Sequence, residues 1–323
     1  MERSLALDLV RVTEVAAIAA AHHMGEGDTD AADRAAVTAM REVLAELPIR
    51  GRIVIGEGER DEAPMLYIGE DVGNGAGFAV DVAVDPVEGT NLVAKGLPNA
   101  IAMLAVTEQG GILHAPDIYM EKLIVPPQAA GKVDLRWPPE RNLEVLADSL
   151  RRRIGDITVV ILDRPRHADL IAAVRRVGAR IKLISDGDVA PAIAAAVSGP
   201  GVHAVMGIGG APEGVLAAAA LRCLGGEVQG RFWYRNDAER QRAKEMGISD
   251  PDRIFHTDEL VSGKMLVFAA TGITDGDLFR GVRLFGGGVR THSLVMTAAQ
   301  RQIRFVDTTH VHDPARVGVV RLQ

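Results

Sequence analysis

Two carboxylates and a hydroxyl fall within six residues at Asp85-Pro86-Val87-Glu88-Gly89-Thr90, directly after an apolar run, 78–84, that reads as a buried strand. Asp85 is expected at the strand's carboxyl end. Pro86 blocks further ladder pairing and Gly89 lets the backbone turn, so that Glu88 and Thr90 can face the same point as Asp85. Three converging oxygens suit a hard divalent cation such as Mg2+ or Mn2+, and a hydroxyl beside them can orient a water or a phosphate oxygen. The same residues also read as a strand ending in an acidic turn.

Other segments carry chemistry of the same kind. Glu57 is held between Gly56 and Gly58 after the short apolar run 53–55, where flanking glycines can put a carboxylate into a cleft. Glu59, Asp61 and Glu62 nearby read as solvated. Asp33, with Asp30, fits the first turn of a helix, where capping competes with any ligand role. Glu213 follows Pro212 and the Gly209-Gly210-Ala211 turn, a strong helix start; the same glycines bare N–H groups that can cradle a phosphate. Arg164 and Arg166 straddle Pro165, and their planar forks match phosphate oxygens. Asp186 and Asp188 flank Gly187, placed either to accept from sugar hydroxyls or to cap a helix at Val189. Tyr119 combines a core-packing ring with a hydroxyl able to meet a ligand.

The elements that must position these side chains are legible as periodicity. Apolar residues at three- and four-residue steps predict helices over 4–24 and 31–47, and apolar runs predict strands at 53–55, 78–84, 101–106 and 123–125. Trp137-Pro138-Pro139 reads as a linker. Beyond it, strands at 158–162, 180–184 and 202–206 alternate with helices at 168–177, 189–197 and 212–224, which implies parallel pairing with right-handed crossovers. Ligands gather at the carboxyl ends of such strands. The organisation expected is a metal-binding α/β domain over 1–150 and an α/β substrate domain over 151–323. The tail from about 260 reads as strands around Thr271-Gly272-Ile273-Thr274 and Gly286-Gly287-Gly288, and which domain it joins stays open.

Composition narrows the function classes. With 323 residues, 47% hydrophobic and 24% charged, the chain suits two ordinary domains or one large layered unit. Net charge −7 and the lack of a dense Lys/Arg stripe leave nucleic-acid binding without electrostatic support. Cys223 is the only cysteine, so no intrachain disulfide forms, and its alanine-rich setting reads as a small buried hydrophobe. The histidines lack zinc-ligand spacing, Gly73, Gly75 and Gly77 precede no helix, and no Walker loop is found. Without a signal-peptide core or an apolar run near 18 residues, a cytoplasmic location with no membrane partner is expected.

Taken together, eight segments closely resemble the class II fructose-1,6-bisphosphatases of bacteria, within the lithium-sensitive sugar-phosphatase superfamily. They are IVIGEGE (53–59), DEAPMLYIG (61–69), DPVEGT (85–90), APDIYMEKL (115–123), PRH (165–167), DGDV (186–189), GIGGAPEG (207–214) and ATGITDGD (270–277). The resemblance implies a layered α-β-α-β-α sugar-phosphatase fold with two sheet domains. It implies Mn2+ or Mg2+ bound by Asp33, Glu57, Asp85, Glu88 and Glu213. It also implies a sugar bisphosphate contacted by Glu88, Gly89, Thr90, Tyr119, Arg164, Pro165, Arg166, Asp186, Gly187, Asp188 and Gly210, in a homodimer or homotetramer. Thr29 and Asp30 stand where many relatives carry a lysine. Arg164, within DRPRH, resembles the branch that also hydrolyses sedoheptulose-1,7-bisphosphate.

The expected chemistry is direct hydrolysis of the 1-phosphate, with Thr90 orienting the attacking water and Glu57 or a neighbouring acid accepting its proton. Arg164, Arg166 and Tyr119 would hold the distal phosphate. Rival readings are another superfamily phosphatase, acting on an inositol phosphate or an adenosine bisphosphate, and a non-catalytic sugar-phosphate sensor.

Overall fold

The computed structural model describes residues 2–58, 65–250 and 252–312, the side chains of residues 2–4 excepted. Helices are α1 (Glu2–Ala21), α2 (Thr29–Glu46), α3 (Thr90–Ala94), α4 (Pro139–Leu150), α5 (Ala168–Val177), α6 (Val189–Ala196) and α7 (Ala211–Leu224), with two short ones following. Strands are β1 (Ile49–Ile55), β2 (Asp71–Val72), β3 (Phe78–Glu88), β4 (Ile101–Glu108), β5 (Tyr119–Val125), β6 (Thr158–Leu162) and β7 (Arg180–Ile184). They continue as β8 (Ala204–Gly210), β9 (Glu227–Trp233), β10 (Ile254–His256), β11 (Leu266–Gly272), β12 (Arg283–Phe285), β13 (Gly288–Thr297) and β14 (Gln302–Val311).

The strands form two sheets. The first has the order β12-β13-β11-β4-β3-β1-β2, with β14 on the free side of β13; the second has the order β10-β9-β5-β8-β6-β7. Parallel pairing joins β1 to β3, and β6 to both β7 and β8. The alternating pattern after residue 150 is therefore parallel as its periodicity implies, while β5 enters that sheet antiparallel to β8 and β9.

Three buried clusters separate five layers. Leu5, Leu9, Val12 and Ala16 of α1 recur at helical spacing and pack, with Met40 and Leu44 of α2, on Val82, Leu104 and Val295 of the first sheet. Fully burying one such leucine is worth about 1.5–3 kcal/mol, against tenths from helix propensity, so packing fixes these helices. Between the sheets lie α6 and α7, whose Ala192, Ala194 and Ala217 to Ala220 share a cluster with Met103 and Phe268 on one side and Ile124 and Val160 on the other. Alanine there lets both sheets approach the same helices. On the outer face of the second sheet, Leu143 and Leu146 of α4 and Val174 of α5 cover Leu123, Val159 and Ile161. The order is α-β-α-β-α, as the resemblance implies.

β11 to β14 all lie in the first sheet, so the tail, whose domain the sequence leaves open, returns to the strands formed by the amino-terminal third. Several local expectations need correction. Gly286 and Gly287 are not strand but the turn between β12 and β13, the position glycine's freedom suits. β9 escapes a hydrophobic search because Glu227 and Gln229 are buried in it; Gln229 accepts from the Leu135 N–H at 2.7 Å and donates to Val133 O at 2.9 Å. Trp137-Pro138-Pro139 leads straight into α4, with Pro139 at its first position, so the proline pair marks a helix start. Cys223 is half-buried at the margin of the central cluster.

Candidate active site

Strand β3 does not stop at Asp85. It continues through Pro86 to Glu88, because its register against β4 slips between Asp85↔Met103 and Glu88↔Ile101, three residues facing two. Residues three apart on a regular strand point to opposite faces; this bulge turns Glu88 to the side of Asp85. Pro86 fits here because a bulge needs no ladder donor at that point. Gly89 then adopts φ 92°, ψ 55°, and Thr90, half-buried, opens α3.

The third carboxylate arrives from the other sheet. β8 ends at Gly210, Pro212 takes a first-turn position of α7, and Glu213 follows in that turn. One oxygen each from Asp85, Glu88 and Glu213 lies within 4.8 Å of the others. A side chain at 210 would displace the Glu213 carboxylate, since a Cβ there would stand 1.9 Å from Glu213 Oε2. Asp85 Oδ1 accepts from the Val87 N–H at 3.1 Å, and Glu88 Oε1 from the Val189 N–H, also at 3.1 Å. Glu213 Oε2 is buried without a hydrogen-bond partner.

Electrostatics show what this cluster lacks. Burial, then the neighbouring acids Glu88, Glu213 and Glu57, push the Asp85 carboxyl well above its ordinary range. Burial and Glu213 raise Glu88 to about 8, and burial also raises Glu213, opposed by Lys122. Glu57, at the end of β1, is raised to about 8 by burial, then by Asp33 and Glu213. Asp33 is raised by burial and by Asp30. The helix-capping role is taken instead by Asp28, whose Oδ1 accepts from the Ala31 N–H at 3.0 Å, which leaves Asp33 free of it. Glu57 thus sits within electrostatic reach of the triad, outside its tight grouping, and Asp33 within reach of Glu57. Oxygen-only donors, one of them orphaned, and several carboxylates that resist joint ionisation fit a hard divalent cation.

A pH dependence follows for the metal-free chain. Folded Glu57 and Glu88 hold protons up to about pH 8 that the unfolded chain, with ordinary glutamates, releases near 4.5. Their contribution to stability is present at low pH and is lost as pH rises through about 8. Melting in chelator should therefore move to lower temperature between pH 6 and 9. A melting point that climbs over this span would contradict the assigned shifts.

Beside the triad opens a hollow of about 360 Å³, lined by Glu88 and Glu213 at one end and by Tyr119, Arg164, Arg166, Asp186, Gly187, Asp188 and Gly210 elsewhere. Pro165 is not in this lining; it starts the short 3-10 turn Pro165–His167, with Arg164 just before the turn and Arg166 within it. Arg166 donates from Nε and Nη2 to Ile208 O at 3.2 and 2.7 Å, and its guanidinium lies 4.8 Å from the Tyr119 ring centre. Asp186 accepts from Asn91 Nδ2 at 2.9 Å, a tie from α3 to the second sheet. Asp188 does not cap α6 with its side chain; it pairs with Lys122. Gly89, Thr90, Asp85, Glu57 and Asp33 lie outside the lining of this hollow. Glu59, Asp61 and Glu62 fall outside the described residues.

Sequence reasoning passes over three neighbours. Arg235 lines the hollow and lies 5.3 Å from the Tyr119 ring; it follows β9, whose buried Glu227 and Gln229 break the apolar pattern of a strand. His167 is buried and bridges Leu162 O at 2.7 Å and the Ile208 N–H at 2.7 Å. Lys122 is 1% exposed, pairs with Asp188 Oδ2 at 2.5 Å and donates to Gly210 O at 3.1 Å. The only available signal is a lysine inside an apolar strand. Lys122→Met should cost about 3–5 kcal/mol in urea unfolding, because it strands a buried carboxylate. Adding Asp188→Asn should recover part of that loss, and a cost below about 1 kcal/mol would deny the pair its structural weight.

A profile of the family described as bacterial fructose-1,6-bisphosphatase, glpX-encoded, matches residues 3–310. The chain is 56% identical over 337 aligned positions to a protein of Synechococcus sp. (strain JA-3-3Ab), covering 97% of each. It is 49% identical over 339 positions to one of Gloeobacter violaceus, covering 98% of each. It is also 49% identical to one of Synechococcus elongatus, covering 99% of this chain and 100% of that one. All three carry the name D-fructose 1,6-bisphosphatase class 2/sedoheptulose 1,7-bisphosphatase.

Proposed function

This chain belongs to the bacterial fructose-1,6-bisphosphatase family, and on that premise we propose that it hydrolyses the 1-phosphate of fructose-1,6-bisphosphate to fructose 6-phosphate and inorganic phosphate. The observation that carries the reading is the meeting of Asp85, Glu88 and Glu213, the last two of which line a hollow that Arg164, Arg166 and Tyr119 also line. Acids alone would repel a bisphosphate; acids that hold a cation, facing arginines, accept one phosphate at each end.

Asp85, Glu88 and Glu213, with Glu57 and Asp33 beside them, are the residues that would hold Mn2+ or Mg2+. Bound there, such a cation would neutralise the 1-phosphate and stabilise charge on the leaving oxygen. Arg164, Arg166 and Arg235 bind the distal phosphate, with Tyr119 packed against two of these guanidiniums. Asp186 and Asp188 accept from sugar hydroxyls, and their ties to Asn91 and Lys122 fix them before substrate arrives. Thr90 orients the attacking water, whose oxygen bonds to phosphorus as the bond to the C1 oxygen breaks. Glu57, ionised when a bound cation offsets its acidic neighbours, would take the water's proton.

A second reading adds sedoheptulose-1,7-bisphosphate as substrate, and the names of the relatives favour it. Phosphate release from each bisphosphate, with each cation, tests both readings. No release from fructose-1,6-bisphosphate under either metal would end the first, and release from that sugar alone would end the second. A place in gluconeogenesis, a cytoplasmic setting and assembly as a homodimer or homotetramer complete the reading; sedimentation of the purified chain tests the assembly. Among the described residues no helix is long and apolar enough to cross a membrane.

A further inference from the structure

At the far end of the second sheet lies another hollow, of about 730 Å³, bordered by Arg151, Arg152, Arg180 and His203. β6 begins beside it at Thr158 and ends at Leu162, which lines the catalytic pocket. β7 likewise leads from Arg180 toward Asp186, and α6 from Asp188 to Ala195 and Ala196 in the wall of this second hollow. Five residues of strand place the two openings roughly 15 Å apart.

The second hollow gathers donors. Arg151 and Arg152, both exposed, make no ion pair among the described residues. Arg180 donates to Asp156 O at 3.0 Å, and the Asp156 carboxylate is taken up by Arg153. His203 is 8% exposed, and its Nδ1 accepts from the Thr158 N–H at 3.0 Å. The neutral ring must then carry its proton on Nε2, a donor for which no partner occurs among the described residues. Burial, then Arg152 and Arg180, lowers the affinity of this ring for a second proton, which keeps it neutral. Ser149 and Ser198 add hydroxyls to the lining. The carboxyl ends of α4 and α6, with Asp148 and Asp156, offset part of the positive charge. Four guanidiniums from Arg151, Arg152, Arg153 and Arg180 still leave this corner positive in a chain of net charge −7.

We propose that this hollow is a second anion site, separate from the catalytic pocket, that takes a small phosphate-bearing molecule. Planar arginine forks match phosphate oxygens in pairs, and the side chains that line the hollow include no acid. The space exceeds what one phosphate fills, so a larger phosphorylated molecule is the fitting class.

Calorimetric titration of the full chain with inorganic pyrophosphate, in metal-free buffer, tests the site without relying on turnover. Two binding events are expected. Arg151→Ala/Arg152→Ala should weaken one at least tenfold while phosphatase turnover stays within twofold, and Arg164→Ala should weaken the other. Arg152→Glu alone, at an exposed position, should give the same loss, so a folding defect in the double variant cannot hide the answer. Unchanged stoichiometry and affinity in both Arg152 variants would overturn the proposal. So would citrate binding there as tightly as pyrophosphate, which would make the site one for carboxylates.

Discussion

Glu213→Gln is expected to lower turnover by on the order of 10³-fold while leaving the metal-free fold intact or firmer. The exchange keeps the shape of the side chain and removes one negative charge from a group of buried acids that oppose one another's ionisation. In chelator at pH 9, where the parent chain has lost the protons that relieve this repulsion, the variant should melt at a higher temperature. Added Mn2+ or Mg2+ should then reverse the order. A ligand at a hundred times its dissociation constant stabilises a fold by about 2.7 kcal/mol, and the variant forfeits most of that. Paired melts with and without cation read both effects at once. A variant that melts lower in chelator, yet still gains the full rise with cation, would show that Glu213 serves the fold rather than the ion.

Thr90→Ala should reduce kcat by about 10²–10³-fold and change KM by less than about threefold. Thr90 opens α3 directly after the left-handed Gly89, adjacent to Glu88, yet outside the lining of the sugar pocket. Under the proposed mechanism its hydroxyl acts on the attacking water more than on the bound sugar. Thr90→Ser, which keeps the hydroxyl, should retain activity within about tenfold. Steady-state kinetics at saturating cation separate the cases. A rise in KM at constant kcat would move Thr90 from the reaction to substrate binding.

Much of this architecture is written in periodicity. The steps of Leu5, Leu9, Val12 and Ala16 announce a helix with one buried face, and the alternation after residue 150 announces parallel strands. Asp85, Glu88 and Glu213 stand out as acids next to glycine or proline at element ends, although their meeting depends on a bulge and on sheet order that no local pattern reveals. Lys122 and Gln229 show the opposite limit. Each is polar, buried, and satisfied chiefly by partners distant in sequence, Asp188 and Gly210 O for one and the 133–135 backbone for the other. Local composition cannot distinguish such residues from a surface strand, and the same blindness hides Arg235, which follows β9. Asp33 is the converse case: its expected cap proves to belong to Asp28, five residues earlier.

The bare backbone at Gly209 and Gly210 leaves room for nothing else, with Asp188 Oδ2 2.3 Å and Glu213 Oε2 1.9 Å from where a first side-chain carbon would go. Drift at either position is therefore barred while both acids keep their posts. A chain carrying alanine at 210 must swing the Glu213 carboxylate aside, so this backbone position, which bears no side chain of its own, sets where the acid opposite can rest.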